Sequence, residues 1–437
     1  MADRFRRGHD PSTTSSKAKR STAKLWGGAA GIVAALTIAG AAVTVTTGSD
    51  PAPTHVASSP TVPVGQQAVP RDRISNGVPV GYPRTEAGAK AAAANYVIVS
   101  GTSAFLTDKR LRHQAVAVMA ARGSAPTLVS DADQAAERAS SDLRGDNAKL
   151  DPRQAVARTG VLAERVLGFD IHKATIRLWT TTVRGNSAGH TTPTAAFHSV
   201  TVGLVWEHDD WKLSSSSAGH GLVAPIDYRQ ATNPAGDFAD YVPGKAEDAV
   251  LTGSTDADGF PAPYERTDRG ARAAATSAVM LWGDPRFFSD TTWRHRMLAA
   301  TAAPDAIDTL TSDTDATARL VSENRGVGED GRTLDGGLLV TRTAVLATRT
   351  LADSDRTASI ELWTASVGGV AGQDETQRPQ IAFLRMTVDL AWTGGTWKAT
   401  AVTPSEPLVP APPAAEEAAP AGSFADVGGA ADAPATA

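Results

Sequence analysis

Apolar side chains recur every three or four residues between residues 85 and 100, which is the spacing of one helix face. The face consists of Ala89, Ala92, Ala93, Tyr96 and Val97. Thr85 stands where a helix N-cap is expected, and the acidic Glu86 after it suits the positive end of the helix dipole. The pattern predicts an amphipathic helix whose small side chains pack closely on a neighbour. A second cap at Thr107-Asp108 and a weaker pattern over 131–143 predict further helices.

Beyond residue 160 the apolar period changes from helical spacing to alternation, which is typical of half-buried strands. One strand face consists of His198, Val200, Val202, Leu204 and Trp206. The polar stretch 208–210 after it predicts a hairpin turn, and KATIRLWTTTV at 173–183 predicts another strand. The order predicts an α+β domain, with two or three helices packed on a curved antiparallel sheet of about four strands.

The same pattern occurs twice. Residues 77–113 align without a gap on residues 259–295, and 16 of these 37 positions are identical. The match resumes downstream, where Trp179 aligns with Trp363, Trp206 with Trp392, and Trp211 with Trp397. The period is far longer than that of solenoid repeats. We therefore predict two tandem domains, residues 77–225 (the first copy) and 259–410 (the second copy).

An uncharged segment precedes the copies. Residues 25–49 contain no charged side chain, and the apolar run within them is long enough to cross a bilayer as a helix. Seven Lys and Arg against two Asp fill residues 1–24. By the positive-inside rule this basic tail stays in the cytoplasm and the bulk lies outside. We predict a single-pass transmembrane helix at 25–47 in the cell membrane. The alternative is a cleaved signal peptide, because small residues at 39–42 offer a cleavage site.

Composition separates the remaining segments from the two copies. Residues 48–76 are rich in Pro, Ser and Thr and predict an extended tether, and the acidic stretch 226–258 predicts a linker. Residues 411–437 are Ala- and Pro-rich and predict a disordered tail. Without residues 1–24 the chain keeps 35 basic and 45 acidic side chains, which argues against nucleic-acid binding outside the membrane. The chain has no cysteine, so each domain depends on its apolar core without disulfides.

The layout of each copy resembles the nuclear-transport-factor-like cone, in which helices pack across a strongly bent sheet. The basic tail, membrane helix, tether and two tandem domains together resemble the TcpC-like conjugal transfer proteins, relatives of VirB-type inner-membrane scaffolds of type IV secretion. The resemblance covers residues 1 to about 410 and depends on architecture and the repeat. It implies a non-enzymatic subunit that self-associates and binds other transfer-channel subunits. A stripe of small residues in the membrane segment, Gly27, Gly31, Ala35 and Ala39, is compatible with helix pairing.

An enzyme is the main alternative, because cones of this type also host isomerases and dehydratases that use a pocket acid as base. Glu361 and Asp389 are the candidate acids in the second copy. Their counterparts in the first copy are Arg177 and Gly203, so the copies do not share them. We expect no catalytic residue. An exported protein that binds a ligand in its cones is a third alternative.

Other chemical signals favour structural roles. His113 and His295 follow an arginine in each copy and are expected on a helix surface beside the core. Trp179 and Trp363 are out of step with their apolar neighbours, and we expect them to pack in the core; a cone mouth or a contact surface is the alternative. His198 aligns with Leu384 and indicates a half-buried position.

The glycines at 326, 328 and 331 satisfy a G-x-G-x-x-G pattern, but strand residues follow them, so we expect a plain loop. The nine histidines show no metal-ligand spacing. The sequence therefore gives no reason to expect a metal or another cofactor.

Overall fold

A computed structural model describes residues 73–144, 149–188, 192–231, 260, 263–413 and 416–427. The chain has the expected mixed α+β class with antiparallel sheets. No helix in these ranges is both long and apolar enough to cross a membrane. The basic tail and the membrane segment at 25–47 lie outside the described residues, as do nearly all of the tether and most of the acidic linker.

The first copy has its helices before its strands. A short hairpin, β1 (Arg73–Ser75) and β2 (Val78–Val80), precedes the helices α1 (Glu86–Ser100), α2 (Ser103–Thr107), α3 (Lys109–Met119) and α4 (Ala125–Arg144). Four strands follow: β3 (Ala155–Phe169), β4 (Lys173–Asn186), β5 (Thr194–Glu207) and β6 (Asp210–His220). A short helix, α5 (Tyr228–Ala231), ends this part.

The second copy repeats the order. Its helices are α6 (Asp268–Trp282), α7 (Pro285–Ser289), α8 (Thr291–Thr301) and α9 (Ile307–Arg325). Its strands are β7 (Leu338–Asp353), β8 (Thr357–Ala371), β9 (Gln380–Thr393) and β10 (Thr396–Ser405). The pattern predicted two or three helices per copy, whereas the described part of each copy has four before its sheet. The extra short helices, α2 and α7, have five residues each, too few to display a helical period.

Each sheet is a simple antiparallel meander. The strand orders are β3-β4-β5-β6 and β7-β8-β9-β10, and each sheet carries bulges in its first pair and in its last pair. The last hairpins turn at His208-Asp209 and at Gly394-Gly395, all four residues with positive φ. This geometry matches a two-residue turn of the type that suits the twist of a hairpin.

The repeated sequence residues fix the same corner in both copies. The indole Nε1 of Trp211 donates to Pro83 O at 3.0 Å, and Trp206 meets Trp211 edge-on. The Arg84 guanidinium lies 5.3 Å from the Trp206 ring centroid, and its Nε donates to Ile171 O. The second copy repeats this corner with Arg266, Trp392 and Trp397. The aligned Arg and Trp positions therefore hold the start of the first long helix against the last hairpin.

The two sheets pack against each other through the faces that do not carry helices. The shared core contains Trp179 and Phe197 from the first sheet, and Trp363 and Phe383 from the second. Alignment-equivalent residues meet at the centre: a Cβ added to Gly160 would lie 2.8 Å from the Cβ of its counterpart Ala344. Contact between equivalent positions is the mark of an approximately two-fold, isologous interface. Each copy thus buries one sheet face under its helices and the other against its twin.

Segments that follow each sheet cross to the other copy. Ile226 pairs in parallel with Ile381 at the start of β9, and Ala411 pairs with Thr194 at the start of β5. The second link includes hydrogen bonds from Ala195 N to Ala411 O at 2.9 Å and from Ala411 N to Pro193 O at 2.8 Å. The exchange is reciprocal, so each sheet is extended by the segment that follows the other.

The C-terminal segment differs from the expectation for residues 411–437. Residues 421–427 form a 3₁₀ helix, and Phe424 is fully buried against Trp179 at a centroid distance of 5.7 Å. Ala421 N also donates to the Glu375 carboxylate. The segment is poor in large apolar side chains, but one phenylalanine that packs between the sheets is enough to anchor a short segment.

We predict that a glycine in the last hairpin turn of the first copy relieves backbone strain, because the second copy has glycines, Gly394 and Gly395, at the equivalent positions. Asp209 has φ of 57° on an exposed turn, a conformation that costs a non-glycine residue about 1 kcal/mol. The change Asp209→Gly should raise the free energy of unfolding by about 0.5 kcal/mol, as measured by chemical denaturation. The reverse control, Gly395→Ala, should lower it by about 1 kcal/mol; equal effects of both changes would contradict this account.

A second prediction concerns the contact between the copies. Replacing Gly160 by valine forces side-chain atoms into Ala344 and Leu346 and should lower the free energy of unfolding by roughly 1–3 kcal/mol. Gly168 lies on the same strand with open space at its Cβ position. Gly168→Val is therefore the matched control and should change stability by less than about 0.5 kcal/mol. Similar losses for the two variants would show that the inter-copy contact is not the cause.

Candidate functional site

A cavity of about 570 Å³ lies in the first copy, between the helix-covered face of its sheet and the helices α1, α2, α3 and α4. Its size is within the range of small-molecule sites. The alternation of β4 explains its position: Ile176 and Leu178 face the helices, whereas Trp179 and Val183 face the second sheet. The sheet thus presents one face to the cavity and the other to its twin.

Most of the cavity wall is apolar. It is formed by Val97, Phe105, Leu106, Val116, Met119 and Leu128 from the helices, with Val200 and Leu213 from the sheet. The helix α4 covers one side through positions 128, 131, 132, 135 and 138, which recur at helical spacing. Asp131 and Arg138 are exposed and mark the rim. An apolar ligand surface could therefore be buried here.

One end of the cavity is polar. The hydroxyl-bearing Thr159, Thr180 and Thr182 line it, together with Arg184 and His198. Thr180 pairs with His198 across β4 and β5, and Thr182 and Arg184 follow at two-residue intervals along the same face. A strand that begins with Ala174 and Ile176 on this face thus ends with threonines and an arginine. The register places these polar groups side by side.

Arg184 is the principal charge of this end. Burial lowers the pKa of its guanidinium, and the nearby carboxylate of Asp142 acts in the opposite direction. Within the described ranges the side chain forms no hydrogen bond and no ion pair. A partly buried guanidinium presents up to five N–H donors and no acceptor, so it favours an acceptor group in the cavity.

His198 carries less positive charge than Arg184 at neutral pH. Burial lowers the pKa of its imidazole, the Arg184 charge acts in the same direction, and Glu416 partly offsets them. The neutral ring is therefore favoured at neutral pH and can donate or accept one hydrogen bond. His198 is half-buried, as its alignment with Leu384 predicted.

In the second copy, larger apolar residues stand at the positions equivalent to the cavity-lining residues Ser100, His198 and Ser216. Ser100 aligns with Trp282, which is 2% exposed and lies beside Phe287. His198 aligns with Leu384, and Arg184 with Gly368. Ser216 aligns with Val402, which is fully buried. Three hydroxyls remain: Thr343 Oγ1 and Ser366 Oγ are 3.0 Å apart, and Thr364 Oγ1 donates to Leu384 O. The arginine and the histidine at the polar end of the cavity are thus specific to the first copy.

The two candidate acids of the second copy do not lie on the sheet face that its helices cover. Glu361 shares the inter-copy face of β8 with Trp363, and its carboxylate lies 2.8 Å from Arg349 Nε. Asp389 lies on the same side of the sheet in β9 and accepts a hydrogen bond from Ser359 Oγ at 2.7 Å. Strand alternation directs both away from the helices, where a cone pocket would be.

His113 and His295 lie in a matched cluster between helices. The Arg112 guanidinium donates to Asp133 and to Phe105 O, and His113 Nε2 lies 3.0 Å from Asp133 Oδ2. Hydrogen bonds from Arg112 and His113 hold the pKa of Asp133 well below its usual range. The second copy repeats the cluster with Arg294, His295 and Asp315. It joins the second, third and fourth helices of each copy, as the expected surface position beside the core allows.

Trp179 and Trp363 are buried between the two sheets, so core packing was the correct expectation. Each indole Nε1 donates to a crossing segment, Trp179 to Leu222 O at 3.0 Å and Trp363 to Leu408 O at 2.9 Å. The two tryptophans are out of step with their apolar neighbours because both faces of each sheet are apolar, and the tryptophans lie on the inter-copy face. The glycines at 326 and 331 have positive φ in a turn after α9, which confirms the plain loop.

Sequence reasoning missed three features. Arg184 and Ser100 gave no signal alone, but their loss in the second copy, to Gly368 and Trp282, is visible in the aligned repeat. Glu164 was also missed: it is 1% exposed, and burial raises its pKa from 4.5 to about 7 despite the nearby Lys90. The bulge between Val161 and Ala163 shifts the phase of β3, which hid this acid from simple alternation. No trio of His, Asp and Glu with metal-site geometry occurs in the described ranges.

Comparison with known proteins gives a family match and a structural similarity. A family model described as "Domain of unknown function (DUF8175)" matches residues 42–242, which includes the first copy and is less than half of the chain. Among curated proteins no sequence match was found. A solved structure titled "Ntf2 like protein involved in plasmid conjugation" is similar with a TM-score of 0.18 and 8% identity, over 73% of this chain and 96% of that one. A TM-score this low carries no argument.

We predict that Glu164 makes stability depend on pH. Its pKa is raised in the folded state, so the native state is favoured below about pH 4.5 and loses this advantage as pH rises through about 7. The variant Glu164→Gln should therefore gain up to about 3 kcal/mol over the wild type at pH 8, with a much smaller difference at pH 4. Urea unfolding at the two pH values measures this.

The matched control places the acid in the other copy. Thr348 is the buried counterpart of Glu164, and Thr348→Glu should add a loss of stability that grows as pH rises. A difference between Glu164→Gln and the wild type that is the same at both pH values would contradict a raised pKa.

Proposed function

We propose that the chain is a non-enzymatic, membrane-anchored scaffold subunit of a conjugative, type IV secretion-like DNA-transfer apparatus. In this proposal residues 25–47 anchor it in the membrane, and the two copies act outside the cytoplasm by protein–protein association. It forms a homo-oligomer and binds other transfer-channel subunits. The proposal includes the nuclear-transport-factor-like cone as the fold of each copy.

The observation that carries the proposal is the closure of the two copies on each other. Each sheet face without helices is covered by the other sheet, and Ile226 and Ala411 reach across to extend the opposite sheet. Both helical layers therefore face outwards at a fixed separation. Such a pair offers two linked contact surfaces, and once one is bound the second contact becomes intramolecular.

The distribution of repeated residues supports a role in assembly. The copies agree at the Arg84 corner and at the Arg112 cluster, both of which stabilise the fold. They disagree at Glu361 and Asp389, whose counterparts are Arg177 and Gly203. An ancestral catalytic acid shared by both copies is therefore not supported.

The assignment to conjugation depends on the architectural resemblance to TcpC-like proteins. The basic tail, the uncharged segment and the two copies occur in the order expected for such a subunit. The solved structure named above carries conjugation in its title, but its similarity is too weak to add weight. An exported cone-fold enzyme remains the alternative outcome of the test, and ligand binding is favoured separately by the first-copy cavity.

We predict that transfer depends on the anchor and not on the two acids. In a donor strain that lacks this chain, Glu361→Gln and Asp389→Asn should restore plasmid transfer to within about twofold of wild type, since both acids lie on the sheet face turned away from the helices of their own copy. Deletion of residues 4–47 should abolish transfer. Replacement of 25–47 by an unrelated single-pass helix should restore it if the segment serves only as an anchor.

Fractionation controls for abundance and topology. The wild type should resist carbonate extraction, and a reporter fused after residue 410 should be active only outside the cytoplasm. Release of a shortened soluble form would identify a cleaved signal peptide. Loss of transfer by folded, membrane-bound carboxamide variants would overturn the scaffold and favour catalysis.

A further inference from the structure

We propose that the first-copy cavity binds a single-chain amphiphile with a carboxylate head, placing the head at Arg184 and the chain along the apolar wall. This site is independent of the scaffold role. A protein can assemble through its outer surface and bind a small ligand inside one of its domains, so either proposal can fail without the other.

The cavity has a long apolar wall and one polar end, and this combination defines the class of ligand. Phe105, Leu106, Met119 and Leu128 offer aliphatic and aromatic surface without charge. At the other end Arg184 stands beside three threonine hydroxyls. Burying the chain of an amphiphile gains the hydrophobic term, which is about 0.8 kcal/mol per methylene. A ligand that is polar throughout would lose hydration along most of this wall.

The head group must accept hydrogen bonds. Arg184 has only donors, and none of them is used within the described ranges. A carboxylate matches the planar fork of a guanidinium with two parallel hydrogen bonds. Thr182 can add a hydroxyl donor on the same strand face, whereas the Thr180 hydroxyl already donates to His198 O at 3.3 Å. His198, as a neutral ring, can donate one more.

The other charges near this end do not replace a ligand. Asp142 is exposed on α4 and affects Arg184 through the field without an ion pair. Glu416 and His220 also act on His198 only through their fields: Glu416 raises the pKa of the imidazole and His220 lowers it. Asp131 and Arg138 lie on the exposed rim and offset each other in charge. Arg184 is therefore the cation with which an anionic head can form a direct pair.

The second copy shows how the fold appears without this site. Trp282 occupies the position of Ser100, and Leu384 and Gly368 replace the histidine and the arginine. The repeated fold therefore does not require the polar end, because the second copy forms the same elements without the arginine and the histidine. The first copy instead keeps an opening, which costs packing contacts, and lines one end with polar groups.

The experiment compares three probes on the full chain in detergent-free nanodiscs: dodecanoate below its micelle concentration, dodecanol and acetate. Isothermal titration should detect dodecanoate with the tightest affinity, dodecanol more weakly and acetate not at all. Arg184→Met should weaken dodecanoate at least tenfold, as expected for loss of charge-assisted hydrogen bonds, and leave dodecanol within about twofold. Arg177→Met, an exposed arginine on the opposite face of the same strand, is the control.

Ser100→Trp tests the cavity itself. It copies the residue of the second copy, so the fold can accommodate it, and it should abolish the binding of both chain probes. Unfolding midpoints near the wild-type value check that each variant is folded. The proposal is overturned if the wild type binds neither chain probe, if Ser100→Trp binds like the wild type while folded, or if Arg184→Met and Arg177→Met behave alike.

Discussion

Contact between the two sheets is the constraint on which the rest of the structure depends. Gly160 and its counterpart Ala344 lie against each other at the centre of the interface, where even one additional methyl group would be too close. Small side chains at this point let the two sheets approach, and the large aromatic residues Trp179 and Trp363 then fill the space around them. A sheet with one exposed apolar face would be an aggregation hazard alone. The duplication supplies the cover within one chain.

That cover has consequences for the segments that follow each sheet. Because Ile226 and Ala411 pair with the opposite sheet, the inter-copy contact includes backbone hydrogen bonds as well as side-chain packing. The tryptophan indoles donate to the same crossing segments, so sheet packing and strand exchange reinforce each other. Residues that looked like linker and tail therefore belong partly to the core. These segments are poor in large apolar side chains, but the few that they have, such as Phe424, lie where they can be buried.

The sequence predicted the parts of the fold that leave a local or repeated signal. Thr85 caps its helix by accepting from Gly88 N at 3.1 Å, and the hairpin at 208–210 turns where the polar break predicted it. The repeat marked Arg84 and Trp206 as positions that both copies share, and the structure shows that the two side chains meet at one corner. Phe424 and Glu164 could not be predicted, since the first depends on a groove formed by distant segments and the second on a bulge that shifts strand phase.

Differences between the copies were more informative about the site than agreement. Identical positions such as Arg112 and Arg294 proved to hold helices together, which any working copy needs. The first-copy cavity lies where the copies differ. Ser100 lines it, and the residue at the equivalent position of the second copy is the buried Trp282. The inter-copy face holds the two sheets together. The helix-covered face of one copy could therefore change while the two copies stayed packed. A duplicated domain can in this way keep one copy for packing and adapt the other for binding.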